Sequence, residues 1–308
     1  MGLTNFPNGI TSFGIPILGS GGDVPLTTGN YFFVDSGHAN CADSASHGKY
    51  DAPFATIDYA IGRCTDNNGD VIIVAPGHAE TISGAGGITA DVIGVSIIGL
   101  GNGTNRPTLS FSATASTFAI SAANVTVKNI RVTSTIDEVV TMFSVTAAHC
   151  TIDNVEHFET ASCQTRQFML TTNAADYLTV KNCYHYQANA AGAAQLWIQL
   201  VGPDNARILD NTFILTLNNN ATSAVINATT ACVNCEIARN CIIQTGGTTQ
   251  VSAILLATNS TGFVHDNRVA AAVTTLAGIV ALASAYGAEN YTLNTANKSG
   301  IIDPVADS

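Results

Sequence analysis

A self-similar segment of 25 to 29 residues recurs through the middle of the chain, and it limits the possible folds more than any other feature. Its motif is two apolar residues two positions apart, then a charged residue, then asparagine. Repeats of this length are typical of solenoids, propellers or arrays. Six asparagines mark the successive copies: Asn129, Asn154, Asn182, Asn211, Asn240 and Asn267.

A second apolar stretch precedes each asparagine motif, as in 118–121 and 196–200. These stretches are too short for helices, rich in Val, Ile, Phe and Thr, and bounded by turn-forming residues, which is typical of strands. A propeller blade needs more residues than one repeat holds. The prediction is an all-β fold, a right-handed parallel β-helix with coils of about 25–29 residues, since parallel crossovers are almost always right-handed.

Asparagine suits the corner of a coil because it tolerates a left-handed backbone and its amide can bond the asparagine of the next coil. We therefore expect the six asparagines to form a structural ladder. The residue before each asparagine alternates in sign, which predicts an exposed column of ion pairs worth little per pair. That column is Lys128, Asp153, Lys181, Asp210, Arg239 and Asp266.

The segment before the repeats predicts a cap. A strand is expected at 30–35, a short amphipathic helix at 54–64 with apolar residues at helical spacing, and a further strand at 69–77. A helix laid over the first coil would cover its open end. The predicted organisation is an extended apolar arm (1–22), a strand, loop and capping helix (23–69), the β-helix (70–294) and a C-terminal tail (295–308).

The sequence of 53–61 followed by 69–81 resembles the start of pectate-lyase-like right-handed β-helix proteins, and the resemblance covers roughly residues 50 to 270. With the arm in front, the chain is also similar to β-helical virion proteins of tailed bacteriophages, which include head decoration proteins and tailspikes. That second resemblance implies a trimer. Small uncharged residues at 270–287 fit close contact between sister subunits.

Charge and hydropathy exclude several classes of protein. The net charge of −11 provides no basic stripe for nucleic acid. The chain contains no run of 18 apolar residues, so no membrane span is expected. The N-terminus lacks the pattern of a secretory signal.

The carboxylates are the candidates for catalysis, because the β-helix proteins that this chain resembles include polysaccharide lyases and glycosidases. Two pairs are candidates: Asp153 with Glu156, and Asp137 with Glu138. The acids of the column alternate with cations, which makes them poor general acids. Sugar-stacking aromatics are sparse, and eleven Lys and Arg leave little to bind an acidic polysaccharide. The chain is therefore expected not to be an enzyme and to hold no cofactor.

Histidine and cysteine leave two further sites to weigh. His157 and His185 occupy the same position in neighbouring coils, where they could hold a metal or respond to pH, and packing is the favoured interpretation. Cys232 and Cys235 have metal-like spacing but lack a second pair, so no metal is expected. A disulfide between Cys41 and Cys64 is an alternative that the sequence allows but does not support.

The favoured function is a structural protein of a tailed-phage virion. In this hypothesis a homotrimeric decoration or cement protein sits on the phage head and binds the major capsid protein through an apolar arm. The expected docking residues are Phe6, Ile10, Phe13, Ile15 and Ile17. The alternatives are a tailspike that binds or depolymerises host polysaccharide, and a general adhesion module.

Overall fold

The computed structural model describes residues 27–159, 163, 165–187, 196–216, 224–245, 252–271 and 280–293, with the backbone alone at 11–12, 15–16, 245 and 271. It confirms the predicted fold class, an all-β parallel β-helix of the right-handed type with almost no helix.

Each complete coil contributes one strand to each of three parallel sheets. Sheet 1 contains β3 (Tyr31–Val34), β4 (Val71–Val74), β7 (Ser96–Gly99), β10 (Thr126–Lys128), β13 (Thr151–Asp153), β16 (Thr179–Lys181), β19 (Arg207–Leu209), β22 (Cys235–Ala238), β25 (Gly262–His265) and β28 (Tyr286–Ala288). Sheet 2 contains β5 (Ala79–Ile82), β8 (Thr108–Phe111), β11 (Arg131–Ser134), β14 (Glu156–Glu159), β17 (Tyr184–Gln187), β20 (Thr212–Thr216), β23 (Cys241–Thr245), β26 (Arg268–Ala271) and β29 (Tyr291–Leu293). Sheet 3 contains β6 (Ile88–Ala90), β9 (Phe118–Ile120), β12 (Phe143–Val145), β15 (Met169–Thr171), β18 (Leu196–Val201), β21 (Ala224–Thr230), β24 (Ile254–Leu255) and β27 (Val280–Ala281). A separate antiparallel pair joins β1 (Thr11–Ser12) to β2 (Ile15–Pro16).

The repeat seen in the sequence becomes the stacking register of the coils. Val127 pairs with Ile152, and Ile152 pairs with Val180, so equivalent residues lie directly above one another. Side chains alternate across each strand, and one set points into the coil while the other faces outward. In β10, Val127 is fully buried whereas Thr126 and Lys128 are partly exposed.

The interior is one continuous apolar cluster along the solenoid axis. Aromatic rings stack within it from coil to coil: the ring centroids of Phe118 and Phe143 lie 5.3 Å apart, and those of Phe143 and Phe168 lie 5.2 Å apart. Trp197 continues this row and is completely buried. Burial of these rings supplies much of the apolar stabilisation of the fold.

A short helix covers the N-terminal end of the solenoid, at the place predicted from the sequence. Helix α1 (Ile57–Ile61) is shorter than the expected 54–64, because Thr56 caps its start by accepting a hydrogen bond from the Tyr59 amide and Gly62 ends it. Its buried face, which includes Ile57 and Ile61, packs on the first coil.

The sheet ladder begins earlier than predicted. Strand β3 lies in the segment expected to form only the cap, yet it pairs in parallel with β4 over its whole length, from Tyr31↔Val71 to Val34↔Val74. The first strand of sheet 1 therefore precedes α1. Within the described residues, no helix is long and apolar enough to span a membrane.

Candidate functional site

Four cations and two carboxylates meet where sheet 1 turns into sheet 2, over neighbouring coils. Three of them are outward-facing residues that end sheet 1 strands, two begin sheet 2 strands, and one reaches in from the loop before β8. The register places Lys128 and Lys181 on either side of Asp153, and it places Arg131 beside Glu156. We call this set the cationic strip: Arg106, Lys128, Arg131, Asp153, Glu156 and Lys181.

Asp153 occupies the middle of the sheet 1 part of the strip. Its Oδ2 lies 3.7 Å from Lys128 Nζ and 3.9 Å from Lys181 Nζ. Its Oδ1 accepts a 2.8 Å hydrogen bond from the Asn182 amide. The Asp153 side chain is only 13% exposed, whereas that of Lys181 is 41% exposed. The carboxylate is therefore shielded, and the positive charge of Lys181 faces solvent.

Glu156 has the same role on sheet 2. Its Oε2 accepts a hydrogen bond from Arg131 Nε at 3.0 Å. The same oxygen lies 2.9 Å from Arg131 Nη2 and 3.8 Å from Arg106 Nη1. Arg106 spans two coils, because its Nη1 also donates to the Asn154 carbonyl at 3.3 Å. A guanidinium carries five donors, and the Nε of Arg106 is buried without a hydrogen-bond partner among the described residues.

The strip is locally positive in an acidic protein. It gathers four of the eleven Lys and Arg residues beside two acids, while the whole chain carries −11. Composition alone argues that so few cations leave little to bind an acidic polysaccharide, but the coils concentrate them. A local surplus of one sign raises the concentration of oppositely charged ligands at that surface.

The two predicted carboxylate pairs have different outcomes. Asp153 and Glu156 both lie in the strip, and each contacts two cations. Asp137 and Glu138 lie exposed on the turn after β11, at the opposite end of that strand from Arg131. The structure therefore leaves this second pair outside the strip. Arg106 and Arg131 were missed by sequence reasoning, although Arg131 is recognisable as the first outward-facing residue after an asparagine corner.

The six asparagines form two columns instead of one. Asn129, Asn154 and Asn182 have positive φ, from 54° to 57°, and sit at the corner of the coil. In the later coils the positive φ belongs to the residue before the asparagine, such as Asp210 or Arg239, and the asparagine is buried. The reason is one extra residue between the central apolar residue and asparagine in those coils.

The buried column is a continuous amide ladder. Asn211 Nδ2 donates to Asn240 Oδ1 at 3.0 Å, and Asn240 Nδ2 donates to Asn267 Oδ1 at 2.9 Å. Asn267 continues the ladder to Asn290, which the sequence motif did not include. In the corner column, only Asn154 donates to an asparagine of the coil before it, at 3.0 Å from Asn129 Oδ1.

The predicted charge column is divided at the same place. Lys181 pairs in register with Leu209, so Asp210 falls at the corner and not beside Lys181. A separate ion pair follows, in which Arg239 Nε lies 2.8 Å from Asp210 Oδ1. Alternation of charge in the sequence therefore represents two short ladders that are offset by one residue.

His157 and His185 pair in register but point into the solenoid. Both are completely buried, with ring centroids 6.1 Å apart. His185 stacks on Phe213 at 4.7 Å and on the edge of Phe168 at 4.4 Å. Within the described ranges no group of three His, Cys, Asp or Glu side chains is placed to hold a metal ion.

Glu159 is a buried charge that the sequence did not single out. Its side chain is fully buried. The carboxylate accepts hydrogen bonds from Ser134 Oγ at 2.9 Å, from Gln187 Nε2 at 3.2 Å, and from Thr165 through both the backbone amide, at 3.0 Å, and the hydroxyl. His157 Nε2 lies 3.1 Å from its Oε1. Burial raises its pKa, but the charge of His157 and these hydrogen bonds more than offset that effect, so the pKa lies below its usual value.

Replacing His185 by phenylalanine should remove an acid sensitivity of the fold. Burial, and secondarily His157, hold the pKa of His185 well below its usual value, and neither ring nitrogen has a hydrogen-bond partner among the described residues. Below pH 6.5 His185 becomes protonated in the unfolded chain but stays neutral in the folded protein. The free energy of unfolding therefore decreases as pH falls. Urea unfolding of the wild type should show a loss of about 1.4 kcal/mol from this group between pH 7.5 and 5.5. His185→Phe should lack that loss, and an unchanged pH profile in the variant would contradict the assignment.

Two tyrosines of sheet 2 face outward, whereas the one tryptophan of the chain does not. Trp197 is buried in the core. Tyr184 pairs with Glu156 and Tyr186 pairs with Phe158 on the outer face of sheet 2. The tyrosines thus lie beside the cationic strip.

The cysteines in the described residues are free thiols. Cys41 and Cys64 therefore form no disulfide. Burial is the main cause that raises the pKa of Cys232 to about 12 and that of Cys235 to about 11, and both thiols donate to backbone carbonyls. This pair behaves as apolar filling of the coil.

The predicted docking arm cannot be placed on the solenoid. Phe6, Ile10, Phe13 and Ile17 lie outside the described residues, and Ile15 is described only by its backbone in β2.

No protein-family model matches the chain, and no curated protein matches its sequence. A solved structure of a rhamnogalacturonan lyase aligns with 89% of this chain and 89% of its own, with 12% identity and a TM-score of 0.48.

This neighbour corrects one expectation from the sequence. The expectation that the present chain is not an enzyme is contradicted by this neighbour, which is named a lyase. At 12% identity the likeness extends to the fold alone. The protein is a parallel β-helix, the architecture expected from its sequence.

Proposed function

We propose that this protein binds an anionic polysaccharide along the cationic strip. The observation that carries the proposal is the concentration of Arg106, Lys128, Arg131 and Lys181 on one face of a chain whose net charge is −11. Ammonium and guanidinium groups bind carboxylates by charge-assisted hydrogen bonds, so uronate sugars are the fitting class of residue.

The shape of the site favours an extended polymer. The strip follows the stacking direction of the coils across β10, β13 and β16, and the exposed amide of Asn182 lies beside it. Amides donate to and accept from hydroxyl groups. A sugar chain offers carboxylates and hydroxyls in alternation along its length.

Removing the two lysines should weaken this binding. We expect Lys128→Gln with Lys181→Gln to lower the affinity for polygalacturonate by at least about tenfold, measured by isothermal titration, and to reduce its dependence on salt. Lys49→Gln with Arg63→Gln is the matched control, since it removes two exposed cations from the N-terminal end of the molecule. Neutral dextran should not bind.

Equal affinity of the two double variants for polygalacturonate would overturn the proposal. The same samples should be followed for formation of unsaturated uronate by ultraviolet absorbance. Depolymerisation that is lost in the Lys128/Lys181 variant would show that the strip serves an elimination reaction as well as binding.

A structural role in a tailed-phage virion remains a separate prediction. The residues that would carry it belong to the N-terminal arm, as do the expected contacts with the major capsid protein. Sedimentation of the full chain and of a chain lacking 1–22 with undecorated heads tests it, with co-sedimentation of the full chain only as the expected result. Analytical ultracentrifugation tests the predicted homotrimer.

A further inference from the structure

The outer face of sheet 2 carries a stacked aromatic pair directly beside the cationic strip. Phe158 and Tyr186 pair in register on β14 and β17, with ring centroids 5.1 Å apart and ring planes 16° from parallel. Their neighbours along the strands, His157 and His185, point inward. Alternation across the strand thus places both rings on the surface.

These aromatic rings expose apolar surface to solvent. Phe158 is 42% exposed and Tyr184, two residues before Tyr186 on the same face, is 38% exposed. Contiguous exposed apolar surface rimmed by polar groups marks binding sites in soluble proteins. An aromatic face also suits a sugar, because the C–H groups on one side of a pyranose ring pack against it as an apolar surface does.

Glu156 connects the aromatic residues to the strip. It is paired in register with Arg131 on one side and with Tyr184 on the other, and Phe158 follows it by two residues on the same face. The Arg131 contact with Glu156 is 2.9 Å. A ligand held by Lys128 and Lys181 on sheet 1 therefore reaches the aromatic rings by crossing the corner at Arg131 and Glu156 onto sheet 2.

We propose that Phe158, Tyr184 and Tyr186 form a stacking subsite for a sugar ring of the same polysaccharide chain whose uronate groups bind the cationic strip. This inference rests on the proposed function. It describes the ligand as an acidic polysaccharide that contacts the protein both by ion pairing and by ring stacking. The two contributions differ in their response to salt. Ion pairing weakens as ionic strength rises, whereas stacking does not.

The test measures binding of polygalacturonate at low and at high salt. Phe158→Ala and Tyr186→Ala should each weaken binding about fivefold at both salt concentrations, and Tyr186→Phe, which keeps the ring, should bind as the wild type does. Phe263→Ala is the matched control. Phe263 is 59% exposed and packs on Tyr286 at 5.7 Å, but it lies on sheet 1 several coils from the strip.

The outcomes separate this inference from the proposed function. Loss of binding in the Lys128/Lys181 variant with unchanged binding in Phe158→Ala and Tyr186→Ala would overturn the subsite and leave the strip. Unchanged binding in all variants would overturn both. An oligomer in sedimentation that dissociates on Phe158→Ala would assign the aromatic face to a second copy of the chain and also overturn the subsite. Urea unfolding of each variant excludes loss of binding through unfolding.

Discussion

Replacing Glu159 by alanine is expected to lower the free energy of unfolding by about 3–5 kcal/mol, because it breaks a buried charge network from one side. The carboxylate accepts from Ser134, from Thr165 and from Gln187 inside the solenoid. In the variant the Thr165 amide loses its acceptor where no solvent reaches it, and Gln187 Nε2 keeps only the Thr165 carbonyl at 3.4 Å. A buried donor left without a partner lowers the free energy of unfolding by more than the net stabilisation that its hydrogen bond had contributed.

Urea unfolding at pH 7.5 measures the effect, and Glu138→Ala is the control. Glu138 is exposed, so its replacement should change stability by less than about 0.5 kcal/mol. The pKa of Glu159 lies below its usual value, so its stabilisation is present above the pKa of the unfolded chain and is lost as pH falls through the folded value. The difference between wild type and Glu159→Ala should therefore shrink in acid. A constant difference would show that the carboxylate contributes by packing and not by charge.

Replacing Asn240 by alanine is expected to cost about 3–4 kcal/mol of stability, since it interrupts the buried amide ladder at its middle. Its Oδ1 accepts from the Asn211 backbone amide at 3.1 Å and from Asn211 Nδ2 at 3.0 Å. Its Nδ2 donates to the Ile208 carbonyl at 2.9 Å and to Asn267 Oδ1 at 2.9 Å. The substitution leaves the buried Asn211 backbone amide without its acceptor, and it removes one of the two bonds of Asn211 Nδ2 and of Asn267 Oδ1.

Asn182→Gly is the matched control for the ladder. Asn182 belongs to the corner column, with φ of 56°, and glycine adopts this conformation without strain. We expect its replacement to change the free energy of unfolding by less than about 1 kcal/mol. Equal destabilisation by the two substitutions would contradict the division of the asparagines into two columns.

The division was present in the sequence but hidden by the choice of alignment. Aligning the repeats on asparagine makes one column of six, whereas the structure aligns them on the central apolar residue, such as Val180 over Ile208. Burial of the apolar residue has the larger effect on stability, so it sets the register of the coil. The asparagine then takes whichever corner position the spacing leaves for it.

The cationic strip could be found from the sequence only in part. Asp153 and Glu156 were candidates as a carboxylate pair, and Lys128 and Lys181 belonged to the charge column. Arg106 belongs to a loop with no repeat signal, and it reaches Asn154 across two coils. Contacts of this kind depend on side-chain reach between segments that the chain brings together only when the coils stack.

The buried polar network shows the same limit more strongly. His157, Glu159 and Gln187 follow the alternation of a strand in the sequence, but alternation does not tell which face is inside when both sets of residues mix polar and aromatic side chains. The structure turns Phe158 and Tyr186 outward and the polar residues inward, because the neighbouring coils already fix Val132 and Phe213 as core positions.

The sequence by itself determined the architecture of this protein, including the period of the coils, the strand character of each segment and the position of the capping helix. Those properties follow from local preferences and from the repetition of apolar residues, which a single chain displays openly. Only the tertiary structure decided which charges become neighbours, which asparagines are buried and which aromatic rings face solvent. Each of these depends on register between coils 25 to 29 residues apart, where one inserted residue shifts a side chain from the core to the corner.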